Sequence, residues 1–179
     1  MLRACNRLFD LELSDDELRH IAASLGSDIP FLIAGGSAIV SGFGDEIELL
    51  TEIPDFHAVL FFSDTSCGTG AVYGRFDAQG TAVLRAHAVR ETISTGHFFN
   101  DLAEPALQEA PALRNHLTAI ESTAKRPIHV SGSGSTLFLT CDTDLEAGAI
   151  AAAIQATHTV SAIATRPTRL DARPLNSIE

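Results

Sequence analysis

Apolar positions Leu2, Cys5, Leu8 and Phe9 recur at helical spacing, and no capping residue precedes them, so residues 2–9 read as the second half of a helix. A second helix is signalled more fully. Ser14 and Glu17 form a Ser-x-x-Glu capping box, Leu18, Ile21, Ala22 and Leu25 repeat on one face, and Gly26 supplies a stop. Gly-Ser-Asp-Ile-Pro-Phe (26–31) then reads as a rigid turn with Asp28 just beyond the helix end. From residue 35 the pattern turns to β. Ser37–Ser41 and Glu46–Leu49 flank Gly42-Phe43-Gly44 as a hairpin, and His57–Phe62 is a short apolar run that suits a buried strand.

Further along, Thr69 caps a helix running to Arg75, and Ala82–Glu91 is helical within an otherwise ambiguous stretch. Helices follow near Leu102–Glu109 and Pro111–Ser122, the second opened by proline at its first position. Strand Ile128–Ser131, a Gly-Ser-Gly loop and strand Thr136–Cys141 come next. Thr143 and Glu146 make a second capping box before an Ala-rich helix to about Gln155, Thr159–Ala164 is the last strand, and residues 166–179 form a polar tail. From residue 57 the order strand, helices, strand, strand, helix, strand predicts an α+β chain with a ferredoxin-like split βαβ half.

Composition narrows the function classes. A hydrophobic content of 45% and a mean hydropathy of +0.16 supply a real core and argue against disorder. The net charge of −11 argues against general binding to nucleic acid or anionic membranes. Cys5, Cys67 and Cys141 are odd in number and far apart, which fits small buried hydrophobes in a reducing compartment. With no leader pattern and no run of about 18 apolar residues, the expected location is the cytoplasm. The seven scattered histidines include no metal-ligand pair, so no metal site is expected.

Three features carry candidate chemistry. Asp28 reads either as a turn former bonded to nearby backbone or as a carboxylate that takes a proton from a substrate hydroxyl. Ser131-Gly132-Ser133-Gly134-Ser135-Thr136 reads either as a hairpin turn or as a loop whose backbone N–H groups approach an anion; it lacks the lysine of a Walker A loop. Asn100 and Asp101 read either as helix caps or as substrate contacts.

The linear order adds specificity. Asn-Arg-Leu-Phe (6–9), Leu-Ser-Asp-Asp-Glu-Leu (13–18), Gly-Ser-Asp-Ile-Pro-Phe (26–31), Gly-Gly-Ser-Ala (35–38), Gly-Phe-Gly-Asp (42–45), Phe-Asn-Asp-Leu (99–102) and Ser-Gly-Ser-Gly-Ser-Thr-Leu-Phe (131–138) fall in one series. That series resembles the GHMP small-molecule kinases over residues 2–160. The resemblance implies Asp28 as catalytic base, Ser131–Thr136 as a phosphate or substrate loop, and Asn100 and Asp101 on the substrate side. It implies ATP and Mg²⁺ as cofactors, and a small-molecule substrate: a hydroxyl of a cytidylylated methylerythritol, phosphorylated on the non-mevalonate route to isoprenoids.

By the same resemblance, residues 1–55 are part of an N-terminal kinase domain, 56–165 a C-terminal ferredoxin-like domain and 166–179 a tail. The family's main Gly-rich phosphate loop and its catalytic lysine are not among these 179 residues. Weak or no kinase activity is therefore expected, with self-association through apolar surface that the shortened chain leaves exposed. Two alternatives stay open. One is a non-catalytic remnant that binds a small molecule or oligomerises; the other is a kinase for a different small alcohol.

Overall fold

A computed structural model describes residues 1–50, 55–80, 86–95 and 97–167. They belong to two compact units, one within Met1–Ile53 and one within Pro54–Pro167.

The first unit holds helices α1 (Leu2–Leu8), α2 (Asp15–Ala23) and α3 (Ile29–Ala34), then a two-stranded antiparallel hairpin, β1 (Ala38–Ser41) and β2 (Glu46–Leu49). The α2 capping box is complete: Ser14 Oγ accepts from Glu17 N–H, and the Glu17 carboxylate accepts from Ser14 N–H at 2.8 Å. The Ser14 hydroxyl, which donates to the Glu17 carboxylate at 2.7 Å, and then the Ser14 N–H hold that carboxyl below its ordinary range. The expected stop at Gly26 is replaced by Ser24, which stays right-handed while Gly26 N–H bonds back to Ala22 C=O. Only Leu18 and Ala22 of the expected apolar face are buried, joined by Ile33 and flanked by Leu2, Leu13 and Ile29. Asn6 fastens the α1–α2 connection, donating to Leu13 C=O at 2.8 Å and accepting from Leu13 N–H at 3.0 Å. Leu8, Phe9, Leu11, Leu25, Leu32 and Phe43 are exposed, so much of this unit's apolar surface is uncovered within the unit itself.

The second unit is an antiparallel sheet in the order β4-β5-β3-β6, from β3 (His57–Phe62), β4 (His129–Val130), β5 (Leu137–Cys141) and β6 (Ser161–Thr165). Its helices are α4 (Thr69–Ala78), α5 (Ala86–Thr95), α6 (Ala103–Glu109), α7 (Pro111–Ala124) and α8 (Asp144–Thr157). The topology is the split βαβ expected from the sequence. Register explains the core. Val59 and Phe61 of β3 face Leu139 and Leu137 of β5 and Ala164 and Ala162 of β6, and all but Ala164 are buried. Leu113 and Ile120 of α7 and Ala147, Ala151 and Ile154 of α8 join that cluster.

Several boundaries differ from expectation. Gly68, not Thr69, caps α4. Thr143 caps α8, but the Glu146 carboxylate turns to Arg126 and to Asp142 N–H, leaving half a box. Of the expected helix over 82–91, residues 82–85 lie outside the described residues, as do 168–179 of the expected tail.

Candidate functional site

Asp28 is where the structure departs most from the expected turn. Residues 29–34 are helical, and Asp28 is the residue immediately before them, itself in right-handed conformation at φ −85°, ψ −16°. Pro30 starts this helix without cost, since a first-turn residue has no intrahelical use for its N–H, and Gly35 ends it at φ 69°. The Asp28 side chain makes no capping hydrogen bond and is exposed. The backbone-bonding role of an ordinary turn aspartate is thus not taken up.

Behind Asp28 lies the hairpin turn. Gly44 at φ +87° packs so closely on the neighbouring residue that a Cβ there would stand 1.7 Å from Ser27 C=O. Asp45 accepts from Phe43 N–H at 2.9 Å and shapes the same turn.

In the second unit the residues 131–136 form a tight loop between β4 and β5. Ser131 N–H donates to Thr136 C=O and Gly134 N–H to Ser131 C=O, both at 2.9 Å. Gly132 and Gly134 take positive φ, +54° and +83°. Among the described residues, the N–H groups of Gly132, Ser133 and Ser135 make no hydrogen bond. Three unpaired backbone donors on one short loop fit the oxygens of an anion. The tip is seated on the helices: a Cβ at Gly134 would lie 3.1 Å from Cys67 Sγ and 3.4 Å from Leu113 Cδ2. Burial, with Glu109 nearby, pushes the Cys67 thiol up, so it packs under the loop as a neutral group. Thr69, freed from capping, brings Oγ1 to 3.3 Å from Ser133 Oγ.

Asn100 is tied to this loop, donating to the C=O groups of Val130 and Gly132 at 2.8 Å each and accepting from Leu102 N–H at 2.9 Å. Asp101 is exposed one residue further on. Beside them opens a cavity of about 580 Å³, walled in part by Phe98, Asn100, Gly132, His129 and Phe138. Phe98 packs edge to face on His129 and Phe138, which are tilted 37° to each other, with all three centroid separations at 5.3–5.5 Å. No local sequence signal marks this cavity, because its walls come from segments up to 40 residues apart in sequence (98 to 138).

Burial holds the His129 imidazole below its ordinary value of 6.5, opposed by Glu121. Below that value the unfolded chain binds a proton that the folded one resists, so stability falls as pH drops from 6.5 toward the lowered value. We expect His129→Gln to flatten the pH dependence of the melting temperature in that window, and an unchanged slope would show that another group carries it.

Among the described residues no group of three His, Cys, Asp or Glu could hold a metal ion, so no residue here is assigned to Mg²⁺. The free loop N–H groups, by contrast, fit phosphate oxygens.

No family model matches the chain. It is 36% identical over 171 residues to a 4-diphosphocytidyl-2-C-methyl-D-erythritol kinase of Streptomyces avermitilis, a match taking in 88% of this chain and 57% of that protein. A kinase of the same name from Mycobacterium bovis is 34% identical over 154 residues, 79% of this chain and 48% of that one. The chain spans about half the length of the curated relatives it matches. A crystal structure of a 4-(cytidine 5'-diphospho)-2C-methyl-D-erythritol kinase superposes with a TM-score of 0.71 at 28% identity, over 91% of this chain and 60% of that one. L. major mevalonate kinase, solved with R-mevalonate, shares the fold at a TM-score of 0.57 and 15% identity.

Proposed function

Because the chain belongs to the GHMP kinase superfamily, we propose that it carries the acceptor-activating aspartate and one anion-contacting loop of a kinase that phosphorylates a cytidylylated methylerythritol. The observation that carries this reading is the 131–136 loop with its three unpaired N–H donors, in a chain related along most of its length to kinases of that name. ATP is the phosphoryl donor in this reading, with Mg²⁺ sharing the phosphate charge.

The division of labour follows from the chemistry. The acceptor oxygen forms a bond to the γ-phosphorus as the bond to the leaving diphosphate breaks, and the hydroxyl proton moves to the Asp28 carboxylate. An exposed carboxylate without an intramolecular cap bond is available for that proton. Loop N–H groups hold anionic oxygens in place, a contribution that grows where water is excluded. The exposed Leu8, Phe9, Leu11 and Leu32 support self-association of the first unit as a further part of this proposal.

The test is a chimera that joins this chain to the stretch of the S. avermitilis kinase that the match leaves uncovered. ATP-dependent phosphorylation of 4-diphosphocytidyl-2-C-methyl-D-erythritol is expected, with mevalonate and homoserine as poor acceptors. A folded chimera that binds Mg-ATP yet phosphorylates none of the three would overturn the reading.

A further inference from the structure

We propose that Asn100 is a positioning residue: it sets the direction of the loop's N–H donors and does not itself contact the anion. This rests on the reading of residues 131–136 as an anion-contacting loop.

An asparagine amide offers two N–H donors and one acceptor oxygen. Here both donor contacts go to the loop, to Val130 C=O and Gly132 C=O at 2.8 Å, and the oxygen takes Leu102 N–H at 2.9 Å. With both donors committed, little remains for a ligand. What the bonds fix is geometry. A trans peptide is planar, with its C=O and N–H pointing in opposite directions. Aiming Gly132 C=O at Asn100 therefore turns Ser133 N–H away from Asn100, and that N–H is one of the unpaired donors. Aiming Val130 C=O at Asn100 likewise turns Ser131 N–H to the other side, where it meets Thr136 C=O at 2.9 Å and closes the loop.

Asn100 is itself held. Its own C=O accepts from Ala103 N–H at 3.0 Å, which links the start of α6 to the loop. Thr69 near Ser133 and Cys67 beneath Gly134 seat the tip, but neither bonds the 130–133 backbone. The side chain of Asn100 thus orients the Gly132–Ser133 plane and joins the Ser131–Thr136 bond in orienting the Val130–Ser131 plane.

The experiment is ¹⁵N NMR of the 179-residue chain as wild type, Asn100→Ala and Asn100→Asp, without ligand and then titrated with inorganic pyrophosphate. Asn100→Asp keeps the shape but turns two donors into acceptors facing carbonyl oxygens; Asn100→Ala adds no charge that could itself repel the anion. Without ligand, both variants are expected to shift the Gly132–Ser135 amides and speed Ser131 exchange at least tenfold, with the β3 and β6 amides unmoved. With pyrophosphate, the Kd of Asn100→Ala is expected to rise about tenfold. Ligand-free loop resonances that match wild type in both variants overturn the positioning role. Affinity lost in Asn100→Ala with the ligand-free loop unchanged overturns it too, in favour of direct contact. A wild-type loop that ignores pyrophosphate instead overturns the underlying anion reading, while the ligand-free spectra still decide whether Asn100 orients the loop.

Discussion

Asp28→Asn in the active chimera is expected to lower kcat by about 10²–10⁴, the range typical for losing a general base, with a much smaller change in KM. The amide keeps the shape of the carboxylate but accepts no proton from the attacking hydroxyl. The loss of kcat is separable from any loss of folding, because the side chain supports little else. It is exposed and makes no cap bond, so the melting temperature should stay within the range of a surface substitution, about 0.5 kcal/mol in stability. Steady-state kinetics and a thermal melt on the same preparation check both halves. Turnover within a few-fold of the parent would remove Asp28 from the mechanism. A large drop in melting temperature would instead give it a structural role that its geometry here does not indicate.

What could be read from the sequence, and what could not, divides by the range of the interaction. The Ser14–Glu17 box and the Gly42-Phe43-Gly44 hairpin were legible because the partners lie within a few residues and the signal is local. The split βαβ order was legible because the strands carry local signals, an apolar run in β3 and the alternation of Leu137, Leu139 and Cys141 in β5. The short α3 was not. Six residues beginning Ile-Pro give barely more than a turn and a half of helix, so the proline read as a turn when it was a helix start.

Competition between partners explains the other differences. Glu146 satisfies the capping pattern on paper, yet Arg126, 20 residues away, attracts its carboxylate. The expected strand Ile128–Ser131 runs only over His129–Val130, since the Ser131 carbonyl takes Gly134 N–H inside the loop and the ladder stops there. Of the candidate site, the loop and Asp28 each stay open to two readings from their own residues, and the resemblance to the kinases singles them out. The link between Asn100 and the loop spans 30 residues or more and leaves no local trace.

Gly44 and Gly36 separate two reasons for needing glycine, and here a single methyl group should have an outsized effect. Both have positive φ, +87° and +74°, so alanine at either carries the strain of the left-handed region, about 1–2 kcal/mol. At Gly36 nothing lies within 4 Å of the added Cβ, and strain is the whole cost. At Gly44 the Cβ would sit 1.7 Å from Ser27 C=O and 2.5 Å from its carbon. A backbone carbonyl cannot swing aside as a side-chain tip can, so the hairpin or the Ser27–Asp28 segment must move. Overpacking of that kind adds about 1–3 kcal/mol, which puts Gly44→Ala about 2–5 kcal/mol below the parent. The first unit, with Leu18, Ala22 and Ile33 as its buried cluster, has little reserve against such a loss. Because Ser27 precedes Asp28, kcat of the chimera should also fall at temperatures where the protein is still folded, whereas Gly36→Ala should leave kcat unchanged. Denaturant melts and kinetics on the two variants decide it: equal destabilisation with equal kcat would mean that the hairpin does not brace the aspartate.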